Sequence, residues 1–241
     1  MRLLPVSVIC FAAFNLLIGA AKAAPITIYD GSSVPQAQGW GRKTWDGGAT
    51  VTVGLTTTEF NTQVGLTTKI DNYFSQTSAG NFVASISLSV ISSFNTPNDA
   101  GLAFSVFGDP SIHFTSDPAN NLMIGQSSVG WGDGAASVPL NTGSFHEYAI
   151  RYLEGNLDVY IDTPFGDIVA GTAVPVLSRA NPVIYGLPGV IVFGDNSWTT
   201  VHNSRYVVDS VTFEALPEPT GTLLMAGGLA GILFRRKRRH L

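Results

Sequence analysis

The residues best suited to chemistry in this chain are four tryptophans set among glycines, aspartates and asparagines. They occur as Gln38-Gly39-Trp40-Gly41, Thr44-Trp45-Asp46-Gly47-Gly48, Gly130-Trp131-Gly132-Asp133-Gly134 and Asp195-Asn196-Ser197-Trp198. All four settings read as loops. An indole in a loop can stack on a sugar ring while neighbouring carboxylates and amides bond its hydroxyls. Trp131 with Asp133, and Trp198 with Asp195 and Asn196, are the foremost glycan-binding candidates. The competing reading makes these indoles plugs for the ends of a fold. Asp109, Asp133 and Asp195-Asn196 also offer oxygen ligands for Ca²⁺. They lack EF-hand spacing, and a solvated turn aspartate is the default. No cofactor is expected, calcium being the one candidate.

Catalytic constellations are sparse. A glycosidase needs two carboxylates, about 5–5.5 Å apart in the retaining mechanism. The glutamates of the segment 24–216 are Glu59, Glu147, Glu154 and Glu214, and their spacing forms no dyad. Asp158 and Asp162 would lie on one strand face at about 13 Å, too far for a dyad. Neither Gly-x-Ser-x-Gly nor His-Glu-x-x-His occurs. His113, His146 and His202 are scattered; one of them is a candidate lyase base, but a solvated or hydrogen-bonded structural histidine is the preferred reading. The expectation is a non-enzymatic protein. The competing class is a secreted carbohydrate-active hydrolase or lyase, and the third is a purely structural matrix component.

Charge narrows the partners. The whole chain carries a net charge of −4, but five of its cations are crowded into Arg235-Arg236-Lys237-Arg238-Arg239. Residues 24–216 hold sixteen acidic side chains against six basic ones. That balance argues against nucleic acid, whose phosphates require Lys and Arg. It suits a neutral polymer.

These residues must be positioned by strands. Phe82, Ala84, Ile86, Leu88 and Val90 alternate with Ser85, Ser87 and Ser89, the pattern of a half-buried antiparallel strand. Thr50 to Val53 and Leu102 to Val106 alternate likewise. Tyr148, Ile150 and Tyr152 lead through a Gly155-Asn156 turn into Leu157, Val159 and Ile161, a hairpin. Val190 to Phe193 and Tyr206 to Phe213 supply later strands. The fold class is all-β, an antiparallel sandwich or jelly roll over residues 24–216.

Both ends read as addresses. Met1-Arg2, an apolar Leu3 to Gly19 and Ala21-Lys22-Ala23 form a signal peptide cleaved after Ala23. The only cysteine, Cys10, lies inside it, so the mature chain has no disulfide or thiol chemistry. At the other end Pro217-Glu218-Pro219-Thr220 precedes an uncharged run, and the five cations close it. A helix over 220–234 would span roughly 22 Å, short of the ~30 Å hydrocarbon core. The cations of 235–239 would remain cytoplasmic and leave the preceding domain outside.

This tail resembles the PEP-CTERM sorting signal of Gram-negative, exopolysaccharide-producing bacteria. The likeness rests on the Pro-Glu-Pro triplet, the following Thr, a Gly/Ala/Leu-rich helix and an Arg-rich stop over 217–239. It implies export by the Sec machinery, signal peptidase cleavage and recognition of the tail by an exosortase. The protein would dwell briefly in the inner membrane, then reach the surface or exopolysaccharide matrix. Phe145-His146-Glu147-Tyr148-Ala149-Ile150-Arg151-Tyr152 and Gly155-Asn156-Leu157-Asp158-Val159-Tyr160-Ile161-Asp162 are similar to the central hairpin of concanavalin-like and laminin-G-like jelly rolls. That resemblance implies their two-sheet fold. It lacks the Glu-x-Asp-x-x-Glu strand of the laminarinase-type enzymes.

Overall fold

The alternating segments become antiparallel strands in the computed structural model, which describes residues 24–45, 49–63, 69–75, 80–93, 102–109, 114–115, 120–182, 187–195 and 204–217. Pro25–Ala215 is one compact unit. Its first sheet runs, in spatial order, β14 (Leu177–Ala180), β13 (Asn156–Ile161), β12 (His146–Leu153), β6 (Phe82–Ser93), β16 (Ser204–Ala215), β4 (Thr58–Asn61) and β3 (Thr50–Val53). A further strand, β1 (Ile26–Tyr29), also pairs with β16. The second sheet runs β11 (Ser137–Pro139), β10 (Ser128–Trp131), β9 (Leu122–Ile124), β7 (Leu102–Asp109), β15 (Leu187–Asp195), β5 (Lys69–Ser75) and β2 (Gly41–Trp45), with β8 (Phe114–Thr115) on β7. The described residues are thus mostly β-sheet, with one short α-helix, α1 (Phe165–Ala170), and a single 3-10 turn over Pro35–Gln38.

The two inner faces share one core. Ile86, Leu88, Tyr148, Ile150, Tyr206 and Phe213 come from the first sheet; Leu102, Phe104, Ile124 and Phe193 come from the second. Aromatic rings tie the layers together. Phe60 meets Phe193 edge-on at 5.7 Å, and Phe107 meets Tyr152 at 5.1 Å. Such pairs add about 0.5–1.5 kcal/mol each beyond their area burial.

The β12–β13 hairpin forms where the alternation places it, but its turn is one residue earlier than expected. Leu153 pairs with Asn156, so Glu154 and Gly155 are the two loop residues. Both have positive φ, 50° and 78°. That is the type I′ signature, whose twist matches the flanking strands. Glu154 tolerates the left-handed region with its amide donating to Asn81 Oδ1 at 3.0 Å. Pro188 sits in β15, where the pairing with β7 shifts register. A bulge is where a strand accepts a residue without an N–H.

β6 departs from the expectation of one solvated face. Ser85 is 2 % exposed and Ser89 7 % exposed. On the outer side of the first sheet α1 packs on β6 and β12. It buries its own Ile168 and Val169, while Val83, Ala149 and Tyr160 of that side are buried too. Six residues are too few for a helical period to show in the sequence.

Candidate functional site

The end of the sandwich around Trp131 is where the predicted binding residues can be judged. Along β10, Val129 and Trp131 are core residues. Gly130 lies between them because the chain folds back at once. A Cβ on Gly130 would lie 2.6 Å from the Ala136 carbonyl oxygen. The return is closed by the Trp131 amide donating to Ala136 O at 2.9 Å and the Gly134 amide to Trp131 O at 2.9 Å. Asp133 stands at the tip of this turn, and its Oδ1 accepts the Ala135 amide at 3.0 Å.

A cation that the sequence reading missed completes the cluster. Arg179 is on β14, opposite Leu157 of β13 and two residues after the buried Leu177, so it faces inward at the sheet edge. From there it reaches across to the other layer. Its Nη2 donates to Asp133 Oδ1 at 2.9 Å and to Oδ2 at 2.8 Å. Its Cζ lies 5.0 Å from the centroid of the Trp131 ring. Burial alone would raise the Asp133 carboxyl, but the bonds from Arg179 and the Ala135 amide outweigh it and hold it below the ordinary carboxylate value. The signal was present in Leu177-Ser178-Arg179-Ala180, an alternation too short to be read as a strand.

This geometry corrects the reading of Trp131. It is a strand residue, 3 % exposed, and Arg179 lies over its ring. No sugar can stack there with the side chains as placed. Trp40 is corrected likewise. It is 3 % exposed, packs edge-on against Phe193 at 5.1 Å and donates from Nε1 to the Ile28 carbonyl at 2.8 Å. Trp45 closes strand β2 rather than lying in a loop. For Trp40 and Trp131 the physical reason is the same: an indole buries too much apolar surface to be left in water when an open sandwich end needs filling. The structure places Asp133 with Trp131, as the sequence suggested. Asn196 and Trp198 lie outside the described residues. Asp195 ends β15, and only its backbone is described. The tail residues Glu218 to Arg239 also lie outside them. Among the described residues no helix is long and apolar enough to cross a membrane.

Of the calcium candidates only the Asp133 side chain is described; those of Asp109 and Asp195 lie outside the described residues. Asp133 is committed to Arg179, and among the described residues no group of three or more His, Cys, Asp or Glu is placed to hold a metal ion.

His146 is a structural histidine, and a pH-sensitive one. Nδ1 lies 2.6 Å from Asp162 Oδ2 and Nε2 lies 3.0 Å from the Asn141 carbonyl oxygen. Both partners are oxygen acceptors, an arrangement that favours the protonated ring. Burial lowers its pKa, but the two hydrogen bonds and the Asp162 charge outweigh burial and raise it above 6.5. A raised pKa stabilises the fold fully below about 6.5 and is lost as pH climbs through the folded value. Chemical denaturation across pH 6 to 9 should therefore show stability falling, and His146→Gln should flatten that slope. An equal slope in the variant would assign the pH dependence elsewhere.

No family model matches the chain, and no curated protein matches it. Solved structures do. A protein of unknown function from Shewanella oneidensis MR-1 superposes with a TM-score of 0.51 at 10% identity, over 89% of this chain and 95% of that one. This likeness shows the fold alone. The metal-free exoplasmic/lumenal domain of VIP36 gives 0.49 at 11% identity, over 80% and 91%. A carbohydrate esterase from Shiga toxin-encoding bacteriophage phi24B gives 0.48 at 15% identity, over 80% and 100%. These two values lie too low to carry more than the names.

Proposed function

We propose that this chain is an exported, non-enzymatic protein of the cell surface or exopolysaccharide matrix, with a concanavalin/laminin-G-like sandwich that holds neutral polysaccharide. The carrying observation is the Asp133–Arg179 pair at the sandwich end. Asp133 keeps 37% of its side chain exposed, and Arg179 keeps 17%. A carboxylate has about four lone-pair positions. Asp133 uses two or three of them on Ala135 and Arg179, which leaves acceptor capacity turned to solvent. A preorganised anion and cation side by side suit vicinal hydroxyls, one as acceptor and one as donor. The acidic balance of the domain disfavours a polyanion.

The address follows from the ends of the chain. The signal peptide directs export, the basic block 235–239 stalls it, and Pro217-Glu218-Pro219-Thr220 presents the tail to an exosortase. Calcium enters this reading only through loop aspartates whose side chains lie outside the described residues.

Binding to a panel of neutral polysaccharides tests it. The wild-type protein should retain at least one neutral polymer. Asp133→Asn should weaken that retention by about tenfold, since the lost charge-assisted bonds contribute roughly 1.5–3 kcal/mol each. Chain cleavage of extracted exopolysaccharide by the wild type would replace this reading with the carbohydrate-active enzyme. Retention unchanged in Asp133→Asn and in Arg179→Met would move the glycan away from this end.

A further inference from the structure

A sheet edge exposes a row of unpaired N–H and C=O groups, and proteins guard such edges with charge, proline, bulges or short length. Here the edges are guarded unequally. β2 carries Arg42 and Lys43, and β11 ends in Pro139. β14 carries Arg179 and is bracketed by Pro175 and Pro182. β8 has two residues. β1 follows Pro25, shifts register between Thr27 and Tyr29, and has its Ile28 carbonyl occupied by Trp40. β3 has no charge, proline or bulge, and only its four-residue length restrains it. It reads Thr50-Val51-Thr52-Val53, is the last strand of its sheet among the described residues, and exposes Thr50, Thr52 and Val53.

The hydrogen-bond phase of β3 follows from its turn. The Gly54 amide donates to Thr57 O at 2.7 Å, so Gly54 and Thr57 are a bonded pair. Bonded and non-bonded pairs alternate along an antiparallel ladder. Thr52 is therefore bonded to Glu59 of β4, while Val51 and Val53 turn their N–H and C=O groups outward. A strand with two outward residues flanking a central one is self-complementary. A two-fold axis through Thr52 pairs Val51 of one copy with Val53 of the other, twice, for four hydrogen bonds. Thr52 then faces Thr52 in a non-bonded pair, a favourable cross-strand match. The inward-side Val53, 41% exposed, is covered by the other copy's Val51. The edge itself carries no charge to oppose the approach, and the nearby Glu59 is neutralised by Arg205 at 2.8 Å.

We propose that β3 is a homotypic docking edge, at which two copies of this chain join their first sheets antiparallel across Thr52. The four-residue strand buries far less than the ~1,200 Å² of a stable interface. The dimer is therefore weak and forms where copies are concentrated, as on a surface. It closes at two copies, because pairing consumes the edge.

The test uses the full chain in detergent, by sedimentation equilibrium over a wide concentration range, with hydrogen exchange of the peptide spanning β3. Wild type should pass from monomer to dimer as concentration rises, with amide protection of Val51 and Val53 rising in step. Val53→Pro removes only an outward N–H and should weaken dimerisation by about tenfold or more. Should proline disturb the fold by circular dichroism, Thr52→Lys sets like charges across the axis and gives the same reading. A wild type that stays monomeric overturns the proposal. So does a folded variant that dimerises like wild type, which would place the contact in the tail or elsewhere, or growth beyond two copies.

Discussion

Trp131→Ala is expected to lower stability by about 3–5 kcal/mol, and the melting temperature by roughly 6–20 °C for a domain of this size. The indole is 3 % exposed and belongs to the shared core, so truncation opens a cavity at the sandwich end. It also removes the surface on which the Arg179 guanidinium rests, worth about 0.5–2 kcal/mol when desolvated. Arg179→Met keeps most of the side-chain volume and loses only the pair with Asp133 and the cation–π contact. It should cost far less, about 1–2 kcal/mol, because exposed ion pairs contribute little. Thermal denaturation of wild type and the two variants measures both. If Trp131→Ala melted with wild type while losing glycan, the indole would be a binding platform and not a core residue.

Replacing Pro217-Glu218-Pro219 with three alanines is expected to convert a released protein into a membrane-retained one. The basic block should still stop translocation, since Lys and Arg resist crossing. The segment 220–234 carries no charge, so it can dwell in the bilayer even though it is short for a permanent anchor. With the triplet gone, no feature remains for a sorting protease to read. Fractionation of native cells expressing the variant should show a longer species in the inner membrane and little at the surface. Equal release of the variant would remove the triplet from the sorting step.

The strands of the core were legible because burial alternates at the period the backbone imposes. Phe82 to Val90, Tyr148 to Ile161 and Tyr206 to Phe213 needed no tertiary information. The inward indoles were not legible. Glycines around Trp131 suggest a loop, yet Gly130 is there because a reversed chain leaves no room for a side chain beside Ala136. The partner of Asp133 lies 46 residues away on another sheet, and no local pattern connects them. Ser85 and Ser89 looked solvated because the helix that covers their face is six residues long. His146 read as a structural histidine from its isolation. Its raised pKa emerged only with the two acceptors, one of them Asp162, which sits at a positive φ of 51°.

The proposed address is the central claim, and mass spectrometry of the mature protein from its native host tests it most directly. The account predicts an N-terminus at Ala24 and a C-terminus that lacks Arg235-Arg236-Lys237-Arg238-Arg239, in protein recovered from the surface or medium. An abundant mature form ending intact at Leu241 and held in the inner membrane would contradict it.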